Sequence, residues 1–547
     1  MTVILGVNAG HATFHDPSAC LTDEHGTVLA FVEEERLTRV RHAPGVKSPA
    51  LAVAQCLDIA GLDAAEVDVV AVGWDEPRMS ARAGQHWGFD SARDFTANLG
   101  LTARRTPDVH FVPHHRAHAA SAFHASGYDR AAVLVVDGNG EDESISIWRA
   151  GHGQPLVRVA AWPRIHSLGH LYEAASTWLG LGKRAAGKTM GLAAYGNVED
   201  APDPGWLTVG PHGLISVLGS DPGEDYESTR GRWLSRIAAF AGADRPAQPP
   251  ATLSADPLAV RVAAAAQATA QTVVGWLADQ ARKATGIQEL CLAGGVGLNC
   301  AANGRLPGPV YVPPIPHDAG VALGAAWSLA APRRPTVFSA YTGAHPRPLP
   351  ADLPDATLAD LDVDQVVDLL VAGQIIGVCR GRSEVGPRAL CHRSFLALPV
   401  AKQMRERMNG LKRREQWRPF GPVTHTDPAA WWSPIGDLDR YMLGAATLTE
   451  YGAALLPAVQ HADGTTRPQL LRAGDEEFVH ALLDGLADQG YPPVLLNTSF
   501  NGPGEPLVDT ATQAVACARR LGAPTVIIDD VLVQLGPPSK LRSDTGS

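Results

Sequence analysis

The chain has 547 residues, which is more than one hydrophobic core usually serves, so we predict at least two domains. Its formal net charge of -11 at pH 7 disfavours general binding to DNA or RNA, which depends on lysine and arginine displacing counterions. The 7 cysteines are scattered without a CxxC pair, which argues against a disulfide framework or a zinc ribbon and predicts a reducing, cytoplasmic setting.

Two segments of the N-terminal half share one predicted design of strand, polar glycine loop, strand, turn and strand. The first covers residues 3–32 and the second covers residues 132–159. We therefore predict a duplicated α/β unit in which the first loop of each copy faces a shared cleft. Between the copies, apolar spacing over residues 49–59 predicts a helix that ends at Gly61.

No segment has the pattern of a signal peptide or a membrane span. The N-terminus enters a strand directly, without a basic region or a cleavage site. The most apolar long stretch, residues 258–278, contains Arg261 and Gln267, which would be costly in lipid. We expect this stretch to form a buried helix, and we expect no membrane partner.

Two histidines and one aspartate have the spacing of metal ligands. On a helix, His114 and His118 lie on one face with about 6 Å between their Cβ atoms, so both imidazoles can reach one ion. Asp137 ends an apolar strand immediately before Gly138, an arrangement that directs a carboxylate into a cleft. Taken alone, the histidine pair is also compatible with two surface histidines on a helix.

A second glycine-rich point follows a predicted strand at residues 289–293. The loop from Gly294 to Asn299 reads GGVGLN, and we expect it to open a helix. A bare glycine pattern of this kind is commonly a tight turn. Its place after a strand favours a site where backbone N–H groups meet an anionic ligand.

Residues 380–418 carry a strong excess of arginine and lysine in a chain that is otherwise acidic. Solvated helix charges explain Arg405 and Arg407. They do not explain Arg388, beside glycine and proline, or Arg418, between Trp417 and Pro419, because these neighbours shield a guanidinium from water. A phosphate contact is stronger in such a place and can be bidentate.

A polar turn near the C-terminus supplies short donors. A strand at residues 494–496 runs into Asn497-Thr498-Ser499-Phe500-Asn501. Taken alone, this is a simple side-chain-stabilised turn. Together with the arginines, it predicts the other half of a pocket for an oxyanion.

Taken together, the motifs resemble those of the NodU/CmcH-type carbamoyltransferases, a family that includes the O-carbamoyltransferases of antibiotics. A chance match to one motif is easy, whereas a series in family order is specific. The matching segments are residues 15–19, 33–36, 114–118, 136–141, 187–192, 293–299, 384–390, 417–420 and 496–501.

The resemblance implies an α/β chain with two domains. Residues 1–335 would form a duplicated domain of the actin/sugar-kinase/Hsp70 type, and residues 336–547 a smaller α+β domain of the YrdC type. The proline- and arginine-rich residues 332–351 are the expected linker.

The resemblance also implies the reaction. Carbamoyl phosphate and ATP would yield a carbamoyl adenylate, whose carbamoyl group passes to a hydroxyl of a natural product such as an antibiotic, a polyketide or a sugar. The expected partners are these small molecules, with no nucleic acid, and a homodimer is one option for the assembly.

Site residues follow from the same resemblance. A divalent metal, expected to be Fe²⁺, would bind to His114, His118, Asp137 and Asp318. The nucleotide would contact Lys188, Asn139, Gly294, Gly295, Gly297 and Asn299. Carbamoyl phosphate would contact Arg388, Lys412, Arg418, Ser499 and Asn501.

His15 is the candidate general base for transfer. The acceptor hydroxyl must lose its proton as it attacks, and an imidazole titrates near working pH. Taken alone, His15 is also compatible with a turn histidine bonded to the backbone. A reactive mixed anhydride has to be kept from water, so we expect both domains to enclose one cavity.

Three other functions fit parts of the pattern. A tRNA threonylcarbamoyl-type enzyme would explain the basic block, but an acidic chain without a basic arm suits a polynucleotide poorly. A non-transferring Hsp70-like nucleotide-binding module would leave the histidine pair with Asp137 unexplained. A sugar kinase would make ADP, whereas adenylation makes AMP and pyrophosphate.

Overall fold

The structure is a computed structural model, and it describes residues 1–10, 15–82, 89, 91–102, 105–220, 225–245, 249–346, 348–349 and 353–536. The strands are β1 (Val3–Asn8), β2 (Ser18–Asp23), β3 (Val28–Glu33), β4 (Val67–Val72), β5 (Asp108–Phe111), β6 (Arg130–Val136), β7 (Glu143–Gly151), β8 (Val157–Pro163), β9 (Leu207–Gly210), β10 (Gly213–Ser216), β11 (Leu290–Ala293), β12 (Val310–Tyr311), β13 (Ala356–Asp360), β14 (Ile376–Cys379), β15 (Arg393–Ala397), β16 (Gly421–Thr424), β17 (Ala446–Thr447), β18 (Thr465–Thr466), β19 (Gln469–Leu470), β20 (Leu495–Ser499), β21 (Thr525–Ile528) and β22 (Val531–Leu535). The α-helices are α1 (Glu34–Thr38), α2 (Ala50–Ala60), α3 (Glu76–Arg82), α4 (Ala92–Asn98), α5 (His114–Ala125), α6 (Leu168–Trp178), α7 (Ala186–Ala193), α8 (Tyr226–Ala241), α9 (Pro257–Thr285), α10 (Cys300–Asn303), α11 (Val321–Leu329), α12 (Val363–Val371), α13 (Gln403–Leu411), α14 (Glu450–Leu455), α15 (Glu477–Asp488) and α16 (Ala511–Leu521).

Two sheets in the N-terminal region repeat one topology. Their strand orders are β3-β2-β1-β4-β5 and β8-β7-β6-β11-β12. In each sheet the first strand along the chain pairs antiparallel with the second and parallel with the fourth. The predicted duplication and the α/β class are therefore confirmed.

Most of the predicted N-terminal elements are present. Helix α2 ends at Gly61, whose φ of 66° is the left-handed conformation that glycine adopts most readily. The apolar stretch predicted as a buried helix lies within α9, which runs from Asp256 as N-cap to Gly286 as C-cap. Over the described residues, we find no helix that combines the length and the hydropathy needed to cross a membrane.

The glycine loop departs from the prediction. It forms a 3₁₀ turn over Gly295–Leu298 and continues only into the short helix α10. Gly294, at φ 87°, lies so close to the end of β6 that an added Cβ would stand 2.2 Å from the carbonyl oxygen of Val136. The loop thus packs its backbone against the neighbouring strand instead of opening a long helix.

Helix α11 packs unusually closely against both copies of the repeat. An added Cβ on Gly324 would lie 1.8 Å from the carbonyl oxygen of Ala117 in α5, and one on Gly6 of β1 would lie 1.9 Å from that of Ala322. Small side chains such as Ala325 fill the rest of this contact. Because α5 carries His114 and His118, this packing sets where both imidazoles lie.

The C-terminal region is built on a mixed sheet of order β13-β22-β21-β14-β15-β20-β16-β19. Alternate residues of β15 point to opposite faces, as a strand requires. Phe395 and Ala397 join the core beneath α13 and α16, whereas Leu396 joins the core beneath α12 and α15. This is a mixed α/β architecture, and its likeness to YrdC stays a prediction.

The predicted linker is packed along the N-terminal region. Phe338 and Ala340 are buried in the core of the second sheet, and the Tyr341 hydroxyl donates to the Leu390 carbonyl at 2.8 Å. Residues 347 and 350–351 of the predicted segment lie outside the described residues. Where it is described, the connection behaves as part of the fold instead of as a spacer.

Replacing Gly324 with alanine tests whether α11 and α5 need their close contact. The new methyl group would force the helices apart, so we expect a loss of about 1–3 kcal/mol in the free energy of unfolding, measured in urea. Gly275→Ala in α9 is the matched control, because an added Cβ there meets nothing within 4 Å. That control should be neutral or slightly stabilising, and equal behaviour of both variants would contradict the packing account.

Candidate metal centre and anion cavity

Four side chains from three parts of the N-terminal region converge on one small volume. His114 Nε2 lies 3.1 Å from His118 Nε2 and 3.2 Å from Asp137 Oδ2, and His118 Nε2 lies 3.3 Å from the same oxygen. Asp318 Oδ1 is 3.7 Å and 3.6 Å from the two imidazole nitrogens. The sequence placed the first three together by spacing, and Asp318 by resemblance.

Strand ends position these ligand atoms. Helix α5 begins at His114, shortly after β5, and Asp137 directly follows β6. Asp318 begins a 3₁₀ turn that leads into α11. β5 and β6 belong to different sheets, so these residues meet because α5 packs on the second sheet, α11 packs on the first, and the two helices pack on each other.

Further contacts fix the orientation of His114. Its Nδ1 lies 3.2 Å from the Gly73 carbonyl oxygen, which can accept the Nδ1 proton, so Nε2 points at the cluster. Its ring stacks on Trp74 with centroids 3.7 Å apart. Asp137 is held by the Gly295 N–H, which donates to Oδ1 at 2.9 Å. The second carboxylate oxygen therefore faces the two imidazoles.

The electrostatics of the cluster favour ionised carboxylates. Burial opposes ionisation of Asp137, but hydrogen bonds from His114 and His118 outweigh it and hold the pKa of Asp137 well below its usual value. Burial and Asp137 both oppose ionisation of Asp318, and the same imidazoles again reverse the balance and lower its pKa. Two buried carboxylates that remain ionised need positive charge nearby.

This donor set fits a divalent metal ion. Ligand atoms that share one ion at about 2.1 Å lie about 3–3.5 Å from each other, close to the separations found here. Two imidazole nitrogens and two carboxylate oxygens suit iron, manganese, cobalt or zinc. Within the described residues, the four side chains form one of two such His/Asp/Glu groups.

The C-terminal region contains a group of cationic and polar side chains that we call the cradle: Arg388, Lys412, Arg418, Ser499 and Asn501. Lys412, at the end of α13, donates to Asn501 Oδ1 at 2.8 Å and to Ser499 Oγ at 3.3 Å. Ser499 in turn donates to Asn501 Oδ1 at 2.8 Å. Burial, followed by the charge of Arg414, lowers the pKa of Lys412 well below its usual value. A buried ammonium with only neutral partners is an arrangement that an anion stabilises.

Arg388 and Arg418 line the same cavity as Lys412. Burial lowers the pKa of Arg388 to about 9, and its buried Nε has no hydrogen-bond partner. Arg388 Nη2 donates to the Leu298 carbonyl at 3.3 Å, which places the guanidinium beside the glycine loop. Arg418 lies 3.6 Å from Glu415. Arg388 therefore retains an unused donor.

A cavity of about 1170 Å³ between the N-terminal and C-terminal regions joins these groups. All five residues predicted to contact carbamoyl phosphate line it. Its wall also includes the cations Arg41, Lys183, Arg184, Lys188, Arg405, Arg413, Arg414 and Arg467. The size and the charge suit a polyphosphate with a second anionic substrate.

The metal-ligand cluster lies next to this cavity. His317, the chain neighbour of Asp318, lines the cavity, and so does Asp16. Asp16 Oδ2 lies 2.8 Å from His15 Nδ1, which is itself 4.0 Å from Asp318 Oδ2. The imidazole of His15 thus lies between Asp16 of the cavity wall and the predicted metal ligand Asp318.

His15 stays a predicted general base, and its charge depends on its neighbours. Burial lowers its pKa, yet the hydrogen bond to Asp16 and the charge of Asp318 prevail and raise the pKa to about 9. Such an imidazole is charged at neutral pH and cannot accept a proton. A cation held by Asp318 would offset the carboxylate and favour the neutral form.

The residues predicted to contact the nucleotide are spread over two surroundings. Lys188 lines the cavity, where its Nζ lies 2.8 Å from Glu415 Oε1. Asn139 accepts a hydrogen bond from Arg164 at 2.7 Å, outside the cavity lining. Gly294, Gly295, Gly297 and Asn299 also lie outside that lining. Their contact with a nucleotide stays a prediction.

Asn299 already has partners for its side chain. It exchanges hydrogen bonds with Gln267 at 3.0 and 3.1 Å and caps α10 by accepting from the Ala302 N–H at 3.0 Å. It is 8% exposed. These bonds hold the glycine loop against α9.

Several cavity residues escaped the sequence reasoning. Arg405 was assigned to a solvated helix face, but it lines the cavity, so that prediction is wrong, whereas Arg407 is exposed. The missed side chains Arg41, Arg184 and Arg467 come from three distant parts of the sequence, and no motif in the sequence analysis included them. Only the fold brings them together.

Two family models match this chain. The carbamoyltransferase N-terminus matches residues 3–204 and 235–327, and the carbamoyltransferase C-terminus matches residues 367–535. The chain belongs to the carbamoyltransferase family. The NodU/CmcH type indicated by the motifs is supported by relatives in that family.

Among these relatives, nodulation protein NolNO of Sinorhizobium fredii is 30% identical over 92% of this chain and 76% of its own. The 3'-hydroxymethylcephem-O-carbamoyltransferase of Amycolatopsis lactamdurans is 28% identical over 93% of this chain and 95% of its own. Nodulation protein U of Rhizobium tropici is 35% identical over 44% of this chain and 43% of its own.

Solved structures resemble only part of the fold. Full-length HypF in its phosphate- and nucleotide-bound form has a TM-score of 0.33 and 16% identity, over 60% of this chain and 55% of its own. The Acidaminococcus fermentans (R)-2-hydroxyglutaryl-CoA dehydratase component A has a TM-score of 0.33 and 12% identity, over 61% and 98%. At these scores the repeated sheets, not the likeness, establish the fold.

Removing one imidazole tests the metal centre of this carbamoyltransferase. His118→Ala should lose most of its bound divalent ion after loading with Fe²⁺ or Mn²⁺ and gel filtration, because one ligand in four is gone. Metal content per chain is measured by mass spectrometry. His124→Ala, which removes another buried imidazole of α5 outside the cluster, should keep its metal. Full metal in the His118 variant would refute the assignment.

Proposed function

We propose that this protein is an ATP-dependent O-carbamoyltransferase. It would use carbamoyl phosphate and ATP, through a carbamoyl adenylate, to carbamoylate a hydroxyl of a natural product such as an antibiotic, a polyketide or a sugar. One observation carries the proposal: the His/Asp cluster that fits a metal lies beside a cavity lined by the Lys412 and Arg388 cradle. The named cephem O-carbamoyltransferase among its relatives supports the hydroxyl acceptor.

The domain assignment is part of the proposal. Residues 1–335 would form the metal- and nucleotide-binding domain of the actin/sugar-kinase/Hsp70 type, which the repeated sheets support. Residues 336–547 would form the YrdC-like domain that binds carbamoyl phosphate, which the position of the cradle supports. The cavity between them would then hold both substrates.

The cradle would bind carbamoyl phosphate and stabilise its phosphate as it leaves. Carbamoyl phosphate carries two negative charges, and Arg388, Lys412 and Arg418 offer positive charge on the wall of the cavity. Ser499 and Asn501 would orient the bound molecule through short hydrogen bonds. Lys188 would contact the ATP phosphates as pyrophosphate departs.

The metal ligands would be His114, His118, Asp137 and Asp318, with Fe²⁺ as the proposed ion. When bound, the ion would supply positive charge for the adenylate phosphate and the attacking oxygen. His15, beside Asp318, would take the proton of the acceptor hydroxyl, and Asp16 would orient its ring at 2.8 Å.

Product analysis separates this function from its rivals. The wild-type protein with ATP and carbamoyl phosphate, and no tRNA, should release phosphate and pyrophosphate as the adenylate forms, and AMP when the carbamoyl group passes to an alcohol or to water. ADP formation that depends on a sugar would indicate a kinase, and a requirement for tRNA would indicate a modification enzyme. Nucleotide binding that a chelator leaves unchanged, without carbamoyl transfer, would argue for an Hsp70-like module that does not transfer a carbamoyl group.

Lys412→Met should lower carbamoyl-phosphate-dependent pyrophosphate release by about two orders of magnitude, because a buried cation aimed at the leaving phosphate is lost. Release is followed with a coupled pyrophosphate assay. Arg407→Met is the matched control, since this exposed arginine lies nearby in α13 and outside the cavity lining. Similar rates in the two variants would contradict the role of the cradle.

His15→Asn should keep pyrophosphate release, which precedes transfer, but lose transfer to the hydroxyl by about 10²–10⁴-fold, the usual contribution of a general base. A panel of polyketide and aminoglycoside alcohols, read for the mass gain of a carbamate, first identifies an acceptor for the wild type. Normal transfer by the variant to that acceptor would remove His15 from the mechanism.

A further inference from the structure

A buried ion pair of the N-terminal region holds one glycine of the C-terminal region by both of its peptide groups. The Gly386 N–H donates to Glu33 Oε2 at 2.9 Å, and Arg36 Nη2 donates to the Gly386 carbonyl at 2.8 Å. Arg36 Nη2 also donates to Glu33 Oε2 at 3.1 Å. Glu33 and Arg36 are 4% and 3% exposed, so water does not compete for these bonds.

Gly386 is a place where the chain has little freedom. Its φ is 90°, and an added Cβ would lie 2.2 Å from the carbonyl oxygen of Pro314. The C-terminal loop therefore touches the backbone of the segment that leads to Asp318. Two residues beyond Gly386, Arg388 enters the cavity.

Glu33 also faces the segment of the metal ligands. Its Oε1 lies 3.7 Å from His317 Nε2, and His317 directly precedes Asp318. One carboxylate thus contacts the loop of the cradle through Gly386 and the segment of the cluster through His317. The two contacts are long-range in sequence, since Glu33 and Gly386 are 353 residues apart.

Stability alone does not explain this arrangement. A buried ion pair usually contributes little net stability, because desolvation offsets the attraction between the charges. Arg36 is surrounded by further carboxylates, those of Glu35, Glu384 and Asp509. What the pair and its bonds do provide is a fixed position for the Gly386 backbone.

We propose that Glu33 and Arg36 are positioning residues. They hold the loop that carries Gly386 and Arg388 at a fixed position relative to the His/Asp cluster that includes Asp318. This proposal rests on the proposed function, since it joins the two parts of that site. The pair acts through Arg388 and His317, not on the reacting atoms. A displacement of about 1 Å in a cavity of this kind can reduce activity by about 10²-fold.

The test makes the same arginine-to-lysine substitution at two positions. Arg36→Lys keeps the buried charge, so that the fold is retained, but its ammonium ends one bond short of the Nη2 atom that donates to both Glu33 and Gly386. Arg382→Lys is the matched control. Arg382 also crosses between the regions, donating to Leu29 and Thr342 carbonyls at 3.1 and 2.6 Å, and neither partner lines the cavity.

Calorimetric titration with carbamoyl phosphate should show an affinity about tenfold weaker for Arg36→Lys, and within about twofold of the wild type for Arg382→Lys, since misplacement of Arg388 costs a charge-assisted contact. Mn²⁺ content and the unfolding midpoint should match in the two variants. Glu33→Gln, which can still accept from Gly386 but loses its charge, should also weaken binding.

Equal affinities in Arg36→Lys, Arg382→Lys and the wild type would overturn the positioning role. If Arg36→Lys binds carbamoyl phosphate more weakly than Arg382→Lys, but the wild type forms no AMP from ATP and carbamoyl phosphate, the positioning role stands and the proposed function is overturned. Absence of any carbamoyl phosphate binding by the wild type would overturn both.

Discussion

Burial of two imidazoles and two ionised carboxylates within one small volume is the constraint on which the N-terminal architecture depends. Charges removed from water are tolerated only when they are paired or coordinate an ion. The ends of β5 and β6 and the start of α11 bring these groups together, and the close contact of α11 with α5 keeps them there. A cation completes the charge balance of such a cluster.

The other half of the site has the opposite charge and comes from the distant part of the chain. Burial lowers the pKa values of Arg388 and Lys412, which means that the protein bears a cost for keeping them positive. An anion removes that cost. A cation site and an anion cradle on one cavity suit the handling of a carbamoyl group that is carried as a mixed anhydride with phosphate and then passed to an alcohol.

Short sequence patterns predicted the features that depend on local backbone geometry. The helical spacing of His114 and His118 and the strand end at Asp137 follow from backbone periodicity, and Gly61 follows from helix capping. Asp318 has no such signature, and only the resemblance to a family supplied it. The glycine loop was expected to open a helix, and the helix that follows is short because the loop's backbone is held against β6 by tertiary packing that no short pattern encodes.

Long-range contacts account for the rest. Glu33 and Arg36 were visible only as part of a family motif, because their partner Gly386 lies hundreds of residues away. Isolated arginines such as Arg467 reach the cavity only in the folded chain. The predicted linker was read from its composition, although its apolar Phe338 is buried in the core of the second sheet.

Anomalous diffraction from crystals grown with Mn²⁺ and soaked in inorganic phosphate would test the central claim most directly. The account predicts a manganese peak bonded to His114, His118, Asp137 and Asp318, and a phosphate on Arg388 and Lys412 in the adjoining cavity. Manganese elsewhere, or a phosphate bound outside that cavity, would contradict it.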